Sequence, residues 1–404
     1  MGKILNANRK YQQMRNRLDT SVVIGEPSID GYGFSVYLEE YIGKENKTFE
    51  LFVKADEEII ITKDLTALIM ASLMLDKYKY ISFDFDIGRN TLEEIKAITK
   101  AREITVRSLR ADNERQGREN WTVNFSSGVD STALHLICPE LIRVSIDFTG
   151  TDNSWDAAGR EMFTEVNSRV VKTNAHEFLL PHYTIGYYNL ASLLRADSDK
   201  IRYAVVSRIM TDSIRTMQTL EKNEPAVSDF PDEIYGVRVL YPLSGMTKIG
   251  TQSVAAKLAP ENYKRTIEAS VFGDGQKVQS RLLIDECLTG ESRDITLSVE
   301  ASPPLKYGDN PLFDFYVFYF INRLGEAKAS TFVNEIPQEV VDTAKALKLD
   351  FYEKYDPRAL ENIPRDFAEH FLTHLIDAGI ELYTDEDYAE RSQIVNALGI
   401  GEGV

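Results

Sequence analysis

Cysteine is scarce: Cys138 and Cys287 are the two thiols in 404 residues. Two thiols cannot build a four-cysteine zinc site within one chain, and they give no disulfide framework. A reducing cytoplasm is the expected home. Long apolar runs are also missing. No stretch has membrane-spanning length, and MGKILNANRKYQQMRNR lacks the apolar h-region of a secretory signal, so no membrane partner is expected. Positive charge is in deficit, with 46 Lys and Arg against 63 Asp and Glu and a net charge of −17. No Lys/Arg run exceeds scattered pairs. Binding a phosphate backbone calls for a basic face, so this balance argues against nucleic acid. It favours a small-molecule or peptide-like substrate.

What remains is an ordinary globular composition, 43% hydrophobic and 27% charged, with a length suited to two or three domains. The most informative stretch is Trp121 to Leu136, WTVNFSSGVDSTALHL. Trp121–Phe125 reads as a short buried strand. Ser126, Ser127, Gly128, Val129, Asp130 and Ser131 follow as a turn of small residues, and a helix runs from Ser131 until Pro139 stops it. A strand, a small-residue turn and a helix N-terminus make an anion site. Unpaired backbone N–H groups converge there, and small side chains let a phosphate come close.

SSGVDS resembles the S-G-G-x-D-S signature of the PP-loop ATP pyrophosphatases, with Ser127 in place of the first glycine. If that position needs positive φ, a non-glycine residue costs roughly 1–2 kcal/mol. The resemblance implies an α/β fold, a parallel PP-loop (HUP-like) sheet, with ATP and Mg²⁺ as cofactors. ATP would be cut between its α and β phosphates and a substrate adenylated. Amides and hydroxyls of Ser126–Ser131 would hold the phosphates, and Asp130 would act catalytically by orienting the loop or Mg²⁺. Ile146, Asp147 and Phe148, ending the next strand, would line the nucleoside pocket; the plainer reading of Asp147 is a loop carboxylate capping the next helix.

Around this core the chain divides into an N-terminal α+β region (1–117), the PP-loop domain (118–300) and a helical C-terminal region (301–404). Strands are expected through SVVIG, GFSVYLEEYI, TFELFV and EEIIIT, then a buried helix LTALIMASLMLDKY capped by Asp64. Phe83–Asp86 alternates Phe and Asp; an outward pair of carboxylates can bind metal, but a half-exposed strand with phenylalanines inward is the preferred reading. His176, His182, Tyr183, Tyr187 and Tyr188 suggest an aromatic wall or a packed loop. Family members carry a small-residue turn where this chain has Ser207-Arg208, so Arg208 would meet phosphate or form a surface salt bridge. Lys248 opens the helix after YPLSG and would neutralise pyrophosphate or stay solvated.

Cys287, between acidic neighbours in an expected loop, could act as base or nucleophile only if cations lowered its pKa. His370 and His374, beside Glu369, have the i, i+4 spacing of metal ligands, but without a third ligand an ordinary surface helix face is the preferred reading. The phrases LLRAD–YAVVS, YPLSG and YDPRALENIP are similar in outline to the ATP-dependent epimerase acting on the terminal glutamate of a UDP-muramoyl dipeptide. The likeness to deazaguanine-nitrile synthase is weaker, since that group carries a four-cysteine zinc site. The expected activity is therefore an adenylating ligase or epimerase. Its rivals are an inactive nucleotide-binding subunit and a tRNA-modifying enzyme.

Overall fold

The computed structural model describes residues 19–112, 115, 117–148, 154–178, 189–224, 233–270, 275–291 and 302–400, with backbone alone for 154–158 and 178. Its expected aromatic wall at His182, Tyr183, Tyr187 and Tyr188 lies outside the described residues. Contacts divide the chain into two compact units. One comprises Met1–Ser126, Leu141–Val205 and Ser228–Leu240; the other comprises Ser127–Glu140, Val206–Val227 and Tyr241–Val404.

The first unit is α/β and built on one mixed sheet. Its N-terminal part supplies β1 (Thr20–Ile24), β2 (Ser28–Asp30), β3 (Gly33–Ile42), β4 (Glu45–Ala55), α1 (Lys63–Met74), β5 (Tyr80–Phe83) and β6 (Ile87–Gly88). Then come α2 (Arg89–Thr99), β7 (Glu103–Val106), β8 (Leu109–Arg110) and β9 (Asn120–Asn124). The chain leaves this unit to form α3 (Val129–Ile137) and returns as β10 (Ile142–Phe148), α4 (Ser154–Glu165), β11 (Arg169–Thr173), α5 (Leu190–Leu194) and β12 (Ile201–Val205). After a second departure it closes with β13 (Glu233–Ile234) and β14 (Val237–Leu240).

The strand order is β13-β14-β12-β9-β10-β11-β4-β3-β1-β5-β7, with β2 on β3. Strands β14, β12, β9, β10 and β11 are mutually parallel, and β9 is where the order reverses. Strand β4 pairs antiparallel with β11, Val53 opposite Thr173. That pairing makes residues on both sides of the expected 117/118 boundary one sheet, so the three consecutive regions read from sequence are not the compact units of the fold.

Alternation explains the N-terminal strands. Phe34, Val36 and Leu38 of β3 face inward beside Leu51 and Val53 of β4, and α1 lays Leu65, Leu68 and Ile69 on the same core. Every residue of α1 from Asp64 to Met74 is buried, as its all-round apolar text requires. Thr62, not Asp64, caps it by accepting from the Leu65 N–H at 3.1 Å. Asp64 is instead buried and accepts from the Gly88 N–H at 2.8 Å and from Arg110 at 2.8 Å. EEIIIT forms no strand. Phe83 and Phe85 are buried, whereas Asp84 and Asp86 pair outward with Arg107 and Ser108.

The second unit is helical: α3, then α6 (Ile214–Glu221), α7 (Lys248–Leu258), α8 (Tyr263–Ser270), α9 (Gly275–Thr289), α10 (Pro311–Leu324), α11 (Gln338–Ala346), α12 (Arg365–Asp377) and α13 (Asp385–Ala397). The short strands β15 (Leu305–Lys306) and β16 (Val333–Asn334) pair parallel within it. Asn310 caps α10 and Pro311 occupies its first turn, so the aromatic run becomes a helix with Phe315 through Phe320 buried. Among the described residues no helix is long and apolar enough to cross a membrane.

Candidate functional site

The site is assembled in the second unit from the N-terminal ends of α3 and α7 and the middle of α9. Ser127 has φ +61° and is fully buried. It therefore occupies the left-handed region that favours glycine. Gly128 follows in extended conformation as the N-cap of α3, with no side chain capping it. The first amides of α3 point out of the helix start toward this turn. Ser131 turns its hydroxyl back to the Gly128 carbonyl at 3.0 Å, which commits it to the turn.

Asp130 projects from the first turn of α3. It accepts from Thr251 Oγ1 at 2.5 Å and from Arg281 at 3.3 and 3.4 Å. Thr251 is buried on α7, and Arg281 is buried on α9. Gln252 holds the guanidinium from the far side, accepting at 3.3 Å, while its amide donates to the Arg281 carbonyl at 2.9 Å and to Tyr263 at 2.8 Å. Three helices are thereby keyed to one carboxylate. Nothing in the SSGVDS pattern predicts Arg281 or Gln252. The available signal was a lone arginine inside the apolar helical text of QSRLLID.

Lys248 begins α7, where Thr247 caps the helix by accepting from the Ile249 and Gly250 N–H groups at 3.1 Å each. Its ammonium lies 5.7 Å from the centre of the Tyr316 ring. Burial and the nearby Arg281 and Lys277 charges pull Lys248 down to about 7, against the opposing pull of Asp130 and Asp212. Asp212 accepts from the Ile209 N–H at 2.9 Å. Crowding by surrounding protein, followed by the Asp130 charge, pushes its carboxyl up to about 6, with Arg208 and Lys248 counteracting. Asp212 is nevertheless exposed to solvent. The neighbouring Thr211 shares a hydrogen bond with Tyr316.

Asp130, Lys248 and Arg208 thus lie within electrostatic reach of Asp212, which sequence reasoning missed. Arg208 also lies over the Tyr241 ring at 5.5 Å. Ser207 is half-buried in the same loop, and Val129 is a core residue of α3, packed with Ala255, Tyr263 and Ile267. Ser126 is exposed and ends a segment of the first unit. Ile146, Asp147 and Phe148 end β10 in that first unit, and Asp147 accepts from Arg160 at 2.9 Å. Phe148 meets the His176 ring edge-on at 5.7 Å.

Cys287 sits on helix α9, not on a loop. Burial pushes its thiol up to about 12, and Arg323 offsets this only in part. The low pKa that a nucleophile or base would need is not met, because burial outweighs the nearby Arg323 charge.

No family model, curated protein or solved structure matches this chain.

Proposed function

We propose that the chain binds ATP at Ser126–Ser131 and adenylates a carboxylate of a small or peptide-like substrate, releasing pyrophosphate. One observation carries the reading. The turn leaves the carboxyl end of β9, the strand at which the parallel order reverses, and that is where open α/β sheets bind ligands. The left-handed Ser127 and the helix N-terminus that follows Gly128 give this turn the form of a phosphate cradle.

Lys248 and Arg208 supply cationic charge for the phosphates, and Arg281 fixes Asp130. Asp130 and Asp212 suit a Mg²⁺ ion, since the Asp130 charge raises the proton affinity of Asp212 and a divalent cation would relieve that repulsion. Bound there, Mg²⁺ would neutralise phosphate oxygens. The protein's own share is positioning. A substrate oxygen attacks the α phosphorus in line, the bond to the β-phosphate oxygen breaks, and pyrophosphate departs.

An acyl-adenylate has a more acidic α C–H than its parent acid. The second half-reaction is then amide formation, or deprotonation at that carbon followed by epimerisation of a glutamyl residue. Incubation with α-labelled ATP and carboxylate substrates, muramoyl dipeptides among them, should yield AMP and pyrophosphate. ADP as the sole labelled product would overturn the proposal, and ATP binding without turnover on any substrate would favour a non-catalytic nucleotide-binding subunit.

A further inference from the structure

A second cluster of functional groups lies on the second unit, away from the carboxylates described above. His370 and His374 are one turn apart on α12, so both rings emerge on one face. Their centroids are 4.4 Å apart. Glu140, just past the end of α3, meets them both. One of its oxygens is 2.6 Å from His370 Nε2 and the other 4.0 Å from His374 Nε2. One ligand atom from each of the three residues lies within 4.8 Å of the others.

We propose that Glu140, His370 and His374 form a transition-metal site of the zinc type. The third ligand that the i, i+4 histidine pair needs comes from a residue 230 positions away in sequence. Two imidazole nitrogens and one carboxylate oxygen suit Zn²⁺ and its neighbours Co²⁺ and Ni²⁺, whereas Mg²⁺ and Ca²⁺ prefer all-oxygen shells. Tetrahedral ligands held about 2.0–2.2 Å from zinc stand roughly 3.4 Å from one another. Reaching that from the present spacing takes a small rotation of His374 and replacement of the His370–Glu140 hydrogen bond by metal bonds.

The site is open on one side. The side chains of His370, His374 and Glu140 are 31%, 34% and 40% exposed, leaving the fourth position to water. An ion bound here would tie α12 to the end of α3. The neighbouring Glu369 is engaged by Arg365 at 2.6 Å, so its charge is committed elsewhere. A single hydrogen bond satisfies one imidazole at a time, but one divalent cation serves all three groups.

The test uses the full chain stripped with a chelator. Zn²⁺ is titrated against a chromophoric chelator, and Co²⁺ is added separately to read ligand type from its absorption. One metal per chain is expected. Glu140→Gln and His374→Ala should each weaken binding by about tenfold or more, and the His370→Ala, His374→Ala double variant should abolish it. Co²⁺ should give visible bands typical of nitrogen and oxygen ligands. Far-UV circular dichroism and metal-free melting of Glu140→Gln should match the parent, because the three side chains lie at the surface. Failure of the parent to take up metal, uptake unchanged in the double variant, or a thiolate-to-cobalt band would each overturn the assignment.

Discussion

Ser127 is the one residue where this chain departs from the SGGxDS pattern, and its φ of +61° makes the departure costly. Ser127→Gly should raise stability by about 1 kcal/mol, read as a higher urea midpoint, and leave ATP affinity equal or better. A tenfold loss of ATP affinity on restoring glycine would mean that the hydroxyl works on the ligand. Lys248 gives a second test. Its folded value of about 7 lies below the ordinary 10.5, so between those pH values the unfolded chain holds a proton that the folded protein has released. Its contribution to stability therefore rises with pH across that window, and the penalty for burying the ammonium is complete below pH 7. A bound polyphosphate would restore the proton. Calorimetry of ATP binding at pH 8, in buffers of different ionisation enthalpy, should report proton uptake that Lys248→Met removes. Asp130 is less separable than its loop position suggests. Asp130→Ala strands the buried Arg281, so stability should fall along with turnover, while Asp130→Asn keeps an acceptor for Thr251. Matched melting curves for the two variants would contradict that coupling. Asp130 and Lys248 were legible because turn chemistry and helix starts are local; Asp212 and Arg281 were not, because their roles depend on contacts across the fold.

At the scale of elements, periodicity and caps account for most of what formed. The aromatic text of α10, the three helices after Pro337 and the strand–turn–helix at β9 all follow from local patterns. The pairing of β4 with β11 does not, since nothing in either strand names its partner. Two phrases noted in the sequence prove to be halves of one junction. Tyr355 donates to the Pro242 carbonyl at 2.7 Å, and the Asp356 N–H donates to the Gly245 carbonyl at 2.9 Å. Asp356 is itself buried against Arg391 and Arg358. A methyl group at Gly245 would stand 2.4 Å from the Asp356 carbonyl oxygen and 2.9 Å from Ala359. Gly245→Ala should therefore cost about 1–3 kcal/mol, seen as a lower urea midpoint at unchanged m-value. A neutral result would show that the junction opens easily. The same motif that suggests a family can thus be explained by packing just below Lys248.

Across the whole molecule, the order of segments is the distinctive feature. The chain passes between the two compact units five times. Neither unit is a continuous stretch, so residues 241–404 alone lack α3 and α6. That fragment should show no cooperative thermal transition, whereas the full chain should; a well-defined melt of the isolated fragment would disprove the dependence. Local composition could not have revealed this interleaving, because it is fixed by which strands pair and which helices share a core. The feature also bears on birth at the ribosome. Helix α3 buries Val129 against Tyr263 and Ile267, and roughly 130 residues of chain lie between these partners. At about 5–20 residues per second, the apolar face of α3 must wait on the order of ten seconds for the segments that cover it. The signature helix is thus made early and completed late, and during synthesis it is a natural client for a chaperone.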